Sequence, residues 1–161
     1  YNNGKYNNAI TKWQGGLKYI FKLFCNSGDG GGGPELLTNK SLSDYDILLN
    51  SNISMAYLKL NNYNMCITYC NKVLNRRTQV NNKILIEKAL YRKCISEYKL
   101  GNIDDSLNTM DDLLSNINNV NNKNAVYALN HEIRKANNIE NKRNKRDMMK
   151  LFKRVEEDNN K

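Results

Sequence analysis

A chain of 161 residues with a formal charge of +9 and a single proline is long enough for one domain or a short array of helical units with its own apolar core. The lone Pro, with frequent Leu, Ile, Lys and Glu, argues against a turn-rich sheet protein, and the basic balance favours acidic partners through steering. Four cysteines, at 25, 66, 70 and 94, form no CxxC pair and have only His131 to assist them, which disfavours both a disulfide framework and a zinc site.

The chain opens at YNNGKYNNAI with no methionine, so further sequence upstream is expected. No secretory signal and no apolar run of about 18 residues is present. The expected setting is therefore soluble and reducing, cytoplasmic or nuclear.

Three segments share one template: NNGKYNNAITKWQGGL (2 to 17), KLNNYNMCITYCNKVL (59 to 74) and KLGNIDDSLNTMDDLL (99 to 114). Each places Gly or Asn at a turn (Gly4, Asn61, Gly101), a bulky residue two later (Tyr6, Tyr63, Ile103), then a small one (Ala9, Cys66, Ser106) and another slot four beyond (Trp13, Cys70, Met110). A turn followed by a helix whose small side chain admits a neighbouring helix is the physical content of that spacing.

Between the first two copies runs GLKYIFKLFCNSGDGGGGPELLTNKS. It reads as a helix continuing past its repeat, a Gly-rich breaker and a new start near Ser41. GDGGGGP lacks the Lys-Ser/Thr and the preceding strand of a phosphate-binding loop, so it is expected to be a flexible connector. Before the third copy, NNKILIEK is expected to lengthen a helix by a turn or more. After it, Val126, Leu129, Ile133 and Ala136 recur at spacings of three and four, the stripe of a capping helix. The expected organisation is a remnant of the first helix pair over 1–26, a connector over 27–41, a second pair over 42–80, a third over 81–117 and a capping, basic helix over 122–157. This amounts to roughly seven helices, the first mostly missing.

The pattern resembles the tetratricopeptide repeat, whose unit of about 34 residues pairs an A helix with a B helix. The resemblance implies an all-α fold: a right-handed helical solenoid of three such pairs with the first A helix truncated, closed by a long C-terminal helix. In the third A helix, which contains KALYRK, the residues Lys88, Arg92, Ile95 and Lys99 fall on one side. In the second, Asn52, Met55 and Lys59 share a face, and Asn52 holds the repeat position of Arg92. An amide, a guanidinium fork and an ammonium suit a carboxylate.

The stretches SNISMAYLKLNNYNMCITYCNKVL and KALYRKCISEYKLGNIDDSL look like the second and third repeats of carboxylate-clamp co-chaperones. The likeness is closest to the immunophilins of the FKBP and large-cyclophilin types and to aryl-hydrocarbon-receptor-interacting proteins. The resemblance implies binding of the acidic EEVD tail of ninety- or seventy-kilodalton heat-shock chaperones (Hsp90 or Hsp70). Asn52, Lys88 and Arg92 would grip the tail's carboxylates, with Lys59 assisting and Met55 and Ile95 touching a side chain. The family's two further clamp residues fall before Tyr1, as would a prolyl-isomerase domain.

From Lys142 to Arg154 the chain carries seven cations and one acid. The cations Lys142, Arg143, Lys145, Arg146, Lys150, Lys153 and Arg154 interleave with Met148, Leu151 and Phe152, and Val155 comes next. One reading is a cap helix whose few apolar residues dock on the third pair. Another is a basic amphipathic helix for a calmodulin-like or other acidic partner, which also resembles the helix following the repeats in those immunophilins. Nucleic acid is disfavoured because no stacking platform accompanies the charge. No nucleophile–base or carboxylate pair points to catalysis, no cofactor is implied, and His131 is expected on a helix surface or in packing. The remaining alternative is a structural scaffold whose Lys88 and Arg92 pair with acids of the same chain.

Overall fold

In the computed structural model, which describes residues 3–26, 39–78, 83–116 and 123–159, every element is an α-helix. In chain order they are α1 (Asn3–Asn26), α2 (Asn39–Lys59), α3 (Tyr63–Leu74), α4 (Lys83–Lys99), α5 (Ile103–Asn116) and α6 (Lys123–Asn159). That makes six helices among the described residues, against the roughly seven expected. The connector GDGGGGP lies outside them.

Two of the three expected turns have the backbone their residues favour. Asn61 sits at φ 55° and Gly101 at φ 83°, the left-handed region open to Gly and tolerated by Asn. Each ends one helix and starts the next within three residues. Asn62 then caps α3, its side chain accepting from the Met65 N–H, and Asp104 and Asp105 stand in the first turn of α5, where negative charge meets unpaired N–H groups. Gly4 departs from the expectation. It is the second residue of α1, not a turn, and glycine is tolerated there because first-turn N–H groups lack intrahelical partners in any case.

Each helix packs on the next in sequence, and α2, α4 and α6 also touch in order. These three form an inner row, with α3 and α5 outside it. The small residues of the template explain how close the helices come: Cys66 and Ser106 are wholly buried. Cys66 and Cys70 on α3 join Ile47, Val73 and Ala89 in one apolar cluster. Leu90, Cys94, Met110, Leu113, Val126 and Ile133 build another across α4, α5 and α6. A third, of Ile10, Ile53, Ala56 and Tyr69 with Trp13 packed on it, ties α1 to α2 and α3.

The last helix corrects the docked-cap expectation in part. Its start is held, with Val126 and Ile133 buried and Leu129 packed against them. From Asn138 to Glu157 every side chain is exposed. Met148, Leu151, Phe152 and Val155 therefore do not dock on the third pair. The reason is length: α6 has 37 residues, while α4 has 17 and α5 has 14, so α6 outruns the helices that could cover it.

Candidate functional site

The sequence-predicted residues lie on two helices that touch: Asn52, Met55 and Lys59 on α2, and Lys88, Arg92, Ile95 and Lys99 on α4. Lys88 is exposed on the second turn of α4, and Arg92, one turn on, is half-buried. Arg92 Nη1 crosses to α2, donating to the Ser51 carbonyl at 2.7 Å and to the hydroxyls of Ser51 and Ser54 at 3.1 Å each. Its own carbonyl accepts from Ser96 Oγ at 2.8 Å. The guanidinium is thus held by neutral oxygens, and burial pushes its pKa below the ordinary arginine value.

Among the described residues no carboxylate lies within ion-pair distance of Lys88 or Arg92. Glu97, buried, accepts from Thr109 Oγ1 at 2.7 Å and pairs with Lys93 at 3.1 Å, so Lys93 of KALYRK points away to the α4–α5 seam.

On α2, Asn52 and Met55 are half-buried and Lys59 is exposed in the last turn. Ile95 is half-buried between the wholly buried Cys94 and Ser96, and Lys99 is exposed with its Nζ 5.9 Å from the Tyr98 ring centre. Arg92 is thus brought into contact with α2, whereas Asn52, Lys59 and Lys88 make no hydrogen bond or ion pair with one another among the described residues. Ser51 and Ser54, which anchor Arg92, carried no signal beyond their place beside Asn52 and Met55. The neighbouring Tyr91 hydroxyl has its pKa raised by burial, then by Cys94 and Glu132, which puts α6 at the border of the same face. Chemically, α4 offers a fixed, partly desolvated guanidinium and, one turn before it, an exposed ammonium.

No family model matches the chain, and no curated protein matches it.

The basic stretch of α6 presents Met148, Leu151, Phe152 and Val155, at offsets of three, four and seven from Met148, all exposed. The cations Arg143 and Lys150 both approach Asp147, at 3.9 and 3.7 Å; Lys142, Lys145, Arg146, Lys153 and Arg154 are exposed around them. His131 is exposed on α6. Among the described residues no helix is long and apolar enough to cross a membrane.

Proposed function

We propose that the inner row is a docking groove for an acidic C-terminal peptide, and that the chain is a tetratricopeptide-type adaptor of a co-chaperone that takes the EEVD tail of heat-shock chaperones. One observation carries this reading. Two cations on successive turns of α4 have no carboxylate partner among the described residues, and one of them, Arg92, is already desolvated and fixed against α2. A partly desolvated cation without a counter-ion favours any anion that reaches it.

In this mechanism Arg92 Nη1 keeps its bonds to Ser51 and Ser54, and the rest of the guanidinium meets one carboxylate. Lys88 supplies a point charge to the second, and Asn52 donates from its amide to orient the tail. Lys59 and Lys99 extend the positive rim, while Met55 and Ile95 give apolar contact to a tail side chain. The alternation of helices on either side of tight turns at Asn61 and Gly101, and the resemblance of SNISMAYLKL and KALYRK to clamp repeats, support the same reading.

Calorimetric titration of the chain with an acetylated MEEVD peptide tests it. Binding in the range of about 10 μM, roughly 7 kcal/mol, is expected. Lys88→Ala and Arg92→Ala should each weaken it by about tenfold or more, as should amidation of the peptide's C-terminus. A full-strength interaction with the amidated peptide, or none with the free acid, would remove the clamp.

The exposed apolar stripe of α6 amid its cations supports a second reading, a docking helix for an acidic calcium-sensor protein such as calmodulin. Calcium-dependent binding that survives Lys88→Ala but is lost when the chain is ended after Asn138 would identify it. Binding that persists without that stretch would dismiss it.

A further inference from the structure

A second concave surface lies away from the groove of α2 and α4. A cleft of about 740 Å³ opens on another side, walled by the second half of α1 and the end of α3 and floored by α2. The walls meet nearer the start of α1, where Gln14 Nε2 donates to the Tyr69 hydroxyl at 3.0 Å.

Each side of the cleft contributes a pair of residues one helical turn apart. Lys18 and Lys22 come from α1, Lys72 and Arg76 from the end of α3 and the turn after it, and Asp46 and Asn50 from α2. Among the described residues lining the cleft the charges do not cancel: Asp46 is their one acid, and it is already bound to Arg76. Lys72 leans on the Tyr69 ring at 4.4 Å, and among the described residues no carboxylate pairs with Lys18, Lys22 or Lys72. Three cations are left facing one cavity, a concentration of like charge that an anion relieves.

The floor of the cleft is a buried amide. Asn50 is 3% exposed, and its Nδ2 donates to the Asp46 carbonyl at 2.8 Å and to the Asp46 carboxylate at 3.2 Å. Those two acceptors fix the amide's orientation, because the flipped amide would set its oxygen against both. Asn50 Oδ1 consequently has no donor, the sole buried side-chain polar atom left so among the described residues. Buried polar atoms ordinarily have partners. That oxygen is closed to the cleft as well, so the demand on a ligand comes from the three cations: it carries several negative charges.

Leu17 and Phe21, again one turn apart, supply the apolar part of the α1 wall, and Phe21 is 69% exposed. An exposed aromatic face beside cations is the combination on which a nucleobase stacks while its phosphates are neutralised. The volume is that of a small-molecule site.

We propose that this cleft binds a nucleoside diphosphate or a close relative. The phosphates lie among Lys18, Lys22 and Lys72, and the base lies against Phe21. The site is separate from the α2–α4 groove and does not depend on the reading given to that groove.

Calorimetry on the full chain with ADP, pyrophosphate and adenosine tests it. ADP should bind more tightly than either fragment. Lys18→Ala/Lys22→Ala, both surface changes, should weaken ADP by about tenfold or more. Phe21→Ala, also a surface change, should weaken ADP but leave pyrophosphate unchanged. Lys88→Ala should leave ADP binding intact. No heat from ADP at millimolar concentration, undiminished binding by the lysine variant, or pyrophosphate binding as tightly as ADP would each overturn the assignment. So would loss of ADP binding in Lys88→Ala, which would place the anion in the other groove.

Discussion

Cys94 is wholly buried between α4 and α5, where its Sγ donates to the Ser106 carbonyl at 3.3 Å. Burial, reinforced by Glu97, pushes its thiol up to about 12. In the unfolded chain the same thiol titrates near 9.0. Between those values the unfolded state has lost a proton that the folded state keeps, so stability falls as pH rises. The contribution is complete below about pH 9, and its loss approaches about 1.4 kcal/mol per pH unit within the window. Cys94→Ser keeps a donor for Ser106 but does not titrate there. Urea unfolding from pH 7 to 11 should therefore show a shallower alkaline decline for Cys94→Ser; parallel profiles would mean that the thiol is not held protonated. At this scale the sequence is only partly readable. The spacing of Lys88 and Arg92 places them on one face, because helical geometry is local. That Arg92 would spend Nη1 on Ser51 and Ser54 depends on how closely α2 and α4 pack, which no short-range pattern encodes.

The turns carry the element scale. Gly101 needs its φ of 83° and has open space around it, so the penalty of Gly101→Ala is conformational, about 1 kcal/mol of lost stability. Gly15 lies inside α1 with nothing within 4 Å of an added Cβ. Gly15→Ala should accordingly stabilise by about 0.5 to 1 kcal/mol. Gly16, its neighbour, faces Leu49 Cδ1 at 3.1 Å, so the same gain is offset there by crowding against α2. Chemical denaturation of the three variants should rank Gly15→Ala above Gly16→Ala above Gly101→Ala. A stabilised Gly101→Ala would contradict the turn geometry. Asn61 and Gly101 were legible as turns, and Cys66 and Ser106 as close-packing positions, since each type answers a local steric demand. The cleft was not legible. Its members sit as pairs one turn apart on three separate helices, and each pair alone looks like an ordinary solvated face.

At the scale of the molecule, the buried clusters end with Ile133 while α6 continues to Asn159. A chain ended after Asn138 removes only exposed side chains among the described residues, and its melting temperature should stay within about 2 °C of the full chain's. A drop of much more than that would mean that the terminal stretch has a folded partner. The overall helical character was readable from one proline and a recurring apolar period, and the start of α6 from the stripe through Val126, Leu129 and Ile133. The point at which that helix leaves its neighbours was not, because it depends on where α4 and α5 stop.

At about 1.5 Å per residue, the uncovered part of α6 extends roughly 30 Å from the last core contact. Ionic atmosphere at physiological strength damps charge interactions over about 8 Å. The tip and the body are therefore electrically deaf to each other. A protein captured at the tip would leave the affinity of the α2–α4 face unchanged, so α6 would act as a boom that holds two guests apart on one chain and lets their occupancies multiply as independent events.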